Sequence, residues 1–290
     1  DATFVKHTVA ALVAADGSSQ GVKVFRNLGT TFAPFVLYPA GNGYFSDVKL
    51  SDFDLDGRID IVANGGSTGF WLWHNDGAGV FAAPAVVGTS GGWEMEVGDF
   101  DDDGWPDLAC GNYLPNSVSV LLNDRSGAFL PRVDWGTTDQ PRSIAVGDLD
   151  GDGLLDIVAA SAAADARRAT LLFNSRGGKF HARQDYPLIG EVNDVALGDL
   201  DKDGETDAAA AVYVPNLNRI GLLWGVGNAT FEQPQYSSHW GNMQPTALAL
   251  ADLDKDGWLD VAVSVFSPGN GVLVLRNQHG PWNDLGHPLA

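Results

Sequence analysis

The stretch DFDLDGRID occupies residues 52–60, and its pattern returns four times: DFDDDGWPD at 99–107, DLDGDGLLD at 148–156, DLDKDGETD at 199–207 and DLDKDGWLD at 252–260. Successive copies start 47, 49, 51 and 53 residues apart. A tandem period near 50 residues belongs to an array of supersecondary units, not to a fold with one undivided core. The flanks repeat too. An apolar or alternating stretch precedes each copy, such as Val48-Lys49-Leu50 or Ile144-Ala145-Val146, and a short apolar run follows, such as Ile61-Val62-Ala63. Beyond a Gly/Asn/Pro/Ser loop comes another strand-like run ending at Asn75, Asn123, Asn174 or Asn277, with Gly225 in copy four. A Gly-containing turn then leads to an aromatic, as in Asp76-Gly77 before Phe81, and the last strand runs on from there.

Each period therefore holds four short strands, A to D, with no sustained helical period anywhere. Four antiparallel strands per unit, repeated in tandem, predict an all-β chain built as a β-propeller. Residues 1–45 match strands B, C and D without the acidic loop. Residues 3–9 are either strand A of that unit or a strand handed to the last blade. The expectation is one domain over 1–290 with units near 1–45, 46–93, 94–142, 143–193, 194–246 and 247–290. That makes six blades, with seven as the alternative if further chain completes the ring.

In each loop Asp stands at positions 1, 3, 5 and 9 and Gly at 6. The residues are Asp52, Asp54, Asp56 and Asp60; Asp99, Asp101, Asp103 and Asp107; Asp148, Asp150, Asp152 and Asp156; Asp199, Asp201, Asp203 and Asp207; Asp252, Asp254, Asp256 and Asp260. Hard carboxylate oxygens at this density suit Ca²⁺, and Gly at position 6 permits the turn that gathers them. Position 7 is free to vary if it donates only a backbone oxygen, and it does: Arg58, Trp105, Leu154, Glu205 and Trp258. An EF-hand is excluded, because position 12 is Ala63, Cys110, Ala159, Ala210 or Val263 where that loop needs Glu. About five structural calcium ions are expected.

These features resemble the FG-GAP/VCBS repeat, also found in the integrin α-chain propeller. The match is carried by Gly98-Asp99, Gly147-Asp148, Gly198-Asp199, the five loops, and the runs from Asn75 to Phe81 and from Asn123 to Phe129. It covers about 245 residues well and the first 45 in part. The resemblance implies a propeller with Ca²⁺ between strands A and B. It leaves function open, because the repeat serves adhesion proteins, lectins and carbohydrate-active enzymes alike.

Composition narrows the partners. The chain carries 37 acidic and 17 basic residues, a formal charge of −20. No Lys/Arg cluster exists to grip nucleic acid, and no apolar run is long enough to span a bilayer. Cys110 is the one cysteine, in an apolar run, so it reads as a buried thiol and no internal disulfide forms. The start at Asp1, without Met, is read as a mature, secreted chain whose leader has been removed. Asn228-Ala229-Thr230 is a glycosylation sequon.

If the metal loops join strands A and B, the B–C and D–A loops form the opposite rim, where irregular loops carry function. Its candidate ligand residues are Tyr44, Trp93, Asn112, Tyr113, Trp135, Arg142, Tyr213, His239 and Trp240. Aromatic faces beside amides suit carbohydrate. Trp71 and Trp73, at alternate positions of one strand, are expected in the core. The six histidines show no metal spacing, and no serine nucleophile motif appears. The leading expectation is a glycan-binding, lectin-like or adhesion module whose partner is a carbohydrate or glycoprotein. A polysaccharide lyase using Arg142, His239 and Tyr113 is the alternative, and a structural interaction platform the third reading.

Overall fold

The computed structural model describes residues 4–6, 11–16, 21–28, 31–41, 44–77, 79–88, 92–137, 140–161, 163, 167–227, 230–237, 242–266 and 270–277. Among them are 23 β-strands in six antiparallel sheets and a single 3-10 turn at Gly66–Thr68. Sheet 1 holds β1 (Phe4–Lys6), β2 (Ala11–Asp16), β3 (Gly21–Arg26) and β4 (Val36–Pro39). Sheet 2 holds β5 (Asp47–Ser51), β6 (Asp60–Asn64), β7 (Phe70–Trp73) and β8 (Ala85–Gly88). Sheet 3 holds β9 (Gly92–Gly98), β10 (Asp107–Asn112), β11 (Ser117–Leu121) and β12 (Val133–Gly136). Sheet 4 holds β13 (Pro141–Gly147), β14 (Asp156–Ser161), β15 (Arg168–Asn174) and β16 (Phe180–Pro187). Sheet 5 holds β17 (Glu191–Gly198), β18 (Asp207–Tyr213), β19 (Arg219–Leu223) and β20 (Gln235–Tyr236). Sheet 6 holds β21 (Gln244–Ala251), β22 (Asp260–Phe266) and β23 (Gly271–Leu275).

Neighbouring strands in each sheet are consecutive in sequence, the up-and-down meander of propeller blades. The first strand is strand A of its own sheet, since Phe4 pairs with Ala14 and Lys6 with Leu12. Sheets 1–3 fall in one compact unit, Asp1–Gly136, and sheets 4–6 in a second, Thr137–Ala290.

Within each unit the core lies between successive sheets. Ile61, Ala63 and Trp73 pack with Val13, Val22 and Phe45 of the first unit, with Trp71 partly buried beside them. Val62, Phe70 and Leu72 face the other way, onto Met95, Leu108, Cys110 and Leu121. In the second unit Ala208, Ala210 and Val212 meet sheet 4, while Ala209, Ala211 and Ile220 meet sheet 6. Strand B is thus covered on both faces, and β6, β10 and β14 are buried throughout. This is why strand B reads as an unbroken apolar run. Two carboxylates in strand A stitch sheet to sheet. Asp47 accepts the Met95 N–H at 2.8 Å, and Asp194 accepts the Leu248 N–H at 2.6 Å.

Candidate metal loops and the opposite rim

Each acidic loop joins strand A to strand B. Its position-1 carboxylate folds back over the turn: Asp52, Asp99, Asp148, Asp199 and Asp252 accept the N–H of Gly57, Gly104, Gly153, Gly204 and Gly257 at 2.7–3.2 Å. The position-5 carboxylates of Asp56, Asp103, Asp152, Asp203 and Asp256 accept the N–H of position 7. Two left-handed residues make the curl. The glycines at position 6 have φ of 86–93°, and position 4 is also left-handed, at Leu55, Asp102, Lys202 and Lys255. Only copy three places Gly there, Gly151. The position is exposed, and a Cβ on Gly151 would meet open space, so the left-handed backbone there accepts side chains other than glycine and leaves little sequence signal in the other four copies.

Position 9 behaves differently. Asp60, Asp107, Asp156, Asp207 and Asp260 are 0–1% exposed at the first residue of strand B. In every copy Oδ2 accepts the N–H of position 2, and Oδ1 accepts the N–H of the residue at the end of strand C or two positions past it, over 2.7–3.1 Å. The aspartate pins loop, strand B and C–D turn together. The strand-end asparagines complete the frame, donating Nδ2 to the position-8 carbonyls of Ile59, Pro106, Leu155 and Leu259. Asn123 also reaches Phe53 of the preceding sheet, and Asn277 reaches Leu200. Copy four has Gly225, where a Cβ would stand 2.4 Å from the Thr206 carbonyl, and the Thr206 hydroxyl bridges to the preceding Asp148 carbonyl instead.

Potential ligand oxygens converge within 4.8 Å of one another in Asp52/Asp54/Asp56, Asp99/Asp101/Asp107, Asp148/Asp150/Asp156 and Asp199/Asp201/Asp203. Two of these oxygens, Asp101 Oδ1 and Asp199 Oδ1, are buried with no hydrogen-bond partner. Burial, with neighbouring carboxylates adding to it, raises the pKa of Asp101, Asp150 and Asp201. Burial likewise pushes Asp107 up to about 7 and Asp156 and Asp207 up to about 6, against the pull of their backbone hydrogen bonds. Crowded, orphaned carboxylate oxygens fit a hard divalent cation, which neutralises them and takes their free lone pairs.

The loops are not equivalent in charge. Arg58 pairs with Asp56, and Arg125 bonds Asp103 at 2.6 Å, which outweighs burial and holds that carboxyl below its usual range. Arg276 lies 3.4 Å from Asp254, and His74 lies 3.5 Å from Asp54 and 3.1 Å from Asp60.

At the opposite ends of the strands, the candidate rim residues part company. Asn112 is buried, its amide nitrogen donating to Ser117 and Ser119 at 3.0 and 2.7 Å, while its Oδ1 finds no hydrogen-bond partner among the described residues. Strand A carries a bulge near its start in sheets 3 to 6. Trp93 sits in one such bulge, 45% exposed. Arg142 occupies the next, where it donates to Asn193, the bulged residue of sheet 5; Asn193 in turn donates to the Pro245 carbonyl. That chain braces sheets 4, 5 and 6. Tyr44 and Tyr113 are exposed, and Trp135 is half-buried in β12. His239 and Trp240 lie outside the described residues, as does the sequon at Asn228. Tyr113 belongs to the first unit and Arg142 to the second.

Tyr213 lines a pocket of about 320 Å³ between sheets 5 and 6. Pro215, Asn216 and Asn218 come from the B–C loop of sheet 5; Asn242, Gln244 and Phe266 come from sheet 6 and the segment leading into it. Asn116 and Asn216 share a left-handed φ of 65° and 64°, so the recurrent Tyr-x-Pro-Asn is first a turn that asparagine tolerates. Gln244 and Phe266 carried no sequence signal, since both lie inside strand patterns. The sole hint was an aromatic just before Ser267-Pro268-Gly269.

No curated protein sequence matches the chain significantly. Among solved structures, the chain is similar to an Agrocybe aegerita lectin studied for specific recognition of non-reducing terminal N-acetylglucosamine. Identity is 21% over 98% of this chain and 78% of that one, with a TM-score of 0.65. It is also similar to BBS1N from its complex with ARL6DN, at 15% identity over 96% and 78% of the two chains and a TM-score of 0.62. Both likenesses concern the fold. The FG-GAP repeat matches residues 141–179. With the FG-GAP-like repeat matched at 52–110, 99–159 and 199–263, over more than half its length, the chain belongs to the FG-GAP-like repeat family.

Proposed function

We propose that the chain is an extracellular, calcium-binding module of propeller type that binds glycans through the pocket between sheets 5 and 6. The pocket carries the reading. Its lining sets two rings, Tyr213 and Phe266, among four side-chain amides, with no charged group. Sugar rings present C–H faces that stack on aromatics and hydroxyls that pair with amide donors and acceptors. An uncharged lining suits a neutral sugar better than a uronate, and therefore favours binding over polyuronate cleavage. The five loops hold calcium at the other end of the strands through positions 1, 3 and 5 and the position-7 carbonyl. Position 9 sets the frame and lends its remaining lone pairs. All-oxygen sites of this kind in extracellular modules fill at about 0.1–1 mM calcium.

A glycan array followed by calorimetry on the calcium-loaded chain tests this. A neutral glycan should bind without turnover, and Tyr213→Ala or Asn242→Ala should weaken it by about 10-fold or more. Release of unsaturated sugars, seen as ultraviolet absorbance, or binding indifferent to both substitutions would overturn the reading.

A further inference from the structure

Loop 1 holds a donor that the other loops lack among the described residues. His74 Nδ1 stands 3.5 Å from Asp54 Oδ2 and 3.1 Å from Asp60 Oδ2. It precedes the strand-end Asn75; the corresponding residues are Leu122, Phe173, Trp224 and Arg276. Arg276 also reaches the position-3 carboxylate of its loop, at Asp254. This place in the fold therefore aims a long polar side chain at position 3. An arginine there can only neutralise. A histidine brings a nitrogen lone pair.

The geometry is that of a small metal site. One donor atom from each of Asp54, Asp60 and His74 lies within 4.8 Å of the others. Ligand atoms on a tetrahedral ion with 2.0–2.1 Å bonds are about 3.3 Å apart, and the two His74 separations, 3.5 and 3.1 Å, bracket that value. The next sheet closes over the pair: a Cβ on Gly127 would stand 2.8 Å from Asp54 Cβ and 2.9 Å from His74 Cε1. The imidazole, its side chain 36% exposed, is covered by that sheet on its Cε1 edge. A neutral imidazole beside two carboxylates suits zinc-like ions and offers little to calcium.

We propose that loop 1 binds a divalent transition cation of the zinc class through Asp54, Asp60 and His74. Asp54 also belongs to the Asp52/Asp54/Asp56 group, so loop 1 holds one ion, and a transition ion displaces calcium from that loop alone. The proposal rests on reading the loops as cation sites, which the calcium arm of the test checks separately. A plain His–Asp hydrogen bond is the competing account, and it forms no nitrogen–metal bond.

The test uses the full chain, stripped by chelator, reloaded with excess calcium and titrated with Co²⁺. One equivalent of Co²⁺ should be retained, with the visible bands of a low-coordinate nitrogen/oxygen site and a rise in melting temperature. His74→Ala and His74→Asn should each weaken cobalt binding more than about 10-fold while keeping the calcium-dependent rise in melting temperature. The asparagine variant retains a hydrogen-bonding side chain, so a merely structural histidine would be rescued by it. Cobalt binding unchanged in both variants, or absent from the calcium-loaded parent, overturns the proposal. The calcium reading falls separately, if calcium leaves the melting temperature of the stripped chain unchanged.

Discussion

Asp107 and Asp103 belong to one loop and do different things. Asp107 is buried, with each oxygen accepting a backbone N–H, from Phe100 and Asn123. Truncating it leaves two buried donors unmatched, which costs about 3–5 kcal/mol whether or not metal is present. Asp103, its side chain 8% exposed, accepts from Trp105 and Arg125, and its main expected partner is the ion. Denaturant melts should therefore separate them. Asp107→Ala should lower stability in chelator as well as in calcium, whereas the effect of Asp103→Ala should largely vanish in chelator. The repeat made both aspartates legible as a set, because spacing alone marks them. It did not divide their roles, since position 9 differs from positions 1, 3 and 5 only in what the strand-end residue brings to it from some 16 residues away. Asn112 escaped for a similar reason. Its amide looks available beside Tyr113, yet the register of β10 turns it onto Ser117 and Ser119.

Among loops, the shared sequence hides unequal electrostatics. Loops 3 and 4 show no ion pair to their carboxylates among the described residues. Loop 2 has Arg125 on Asp103, and loop 5 has Arg276 on Asp254. An internal cation competes with a bound ion for the same oxygens. Loops 148–156 and 199–207 should therefore fill first as calcium is added, and loops 99–107 and 252–260 later. Calorimetric titration of the chelator-stripped chain should resolve more than one affinity class. Arg125→Ala and Arg276→Ala should each tighten the weak class by about 3–10-fold, after discounting for the exposure of both arginines. A single class unaffected by either substitution would refute this ordering. The pairing was invisible in the repeat, because Arg125 and Arg276 lie on the C–D side and meet the loop only through the hairpin. The hairpin itself was legible: the bridges Asn75 to Phe81 and Asn123 to Phe129 fall where the glycine turn and the aromatic predict them. The rim was legible only as a region. Its pocket joins Tyr213 to Phe266, residues 53 positions apart, by the packing of two sheets.

The charge of the whole chain follows from the loops. Their twenty in-register aspartates equal the entire imbalance, and the other 17 acids match the 17 bases. On the proposed function, protons and calcium therefore compete for the groups that give the molecule its acidity. In the ion-free chain, burial raises Asp107 to about 7 and Asp156 and Asp207 to about 6, from about 3.9 when unfolded. Between those limits the folded state holds more protons than the unfolded one, so stability falls as pH rises. The ion-free chain is thus most favoured near or below about pH 4 with respect to these groups, and that advantage is gone above about pH 7. On the proposed reading calcium should reverse the slope, because it would bind the ionised loops of the folded chain and bind more strongly as the protons leave. Calorimetric melts from about pH 5 to about pH 7.5 should show a falling melting temperature in chelator and a level or rising one in excess calcium. The gap between the two curves should widen with pH. A gap that narrows would mean that the raised carboxyls take no part in holding the ion.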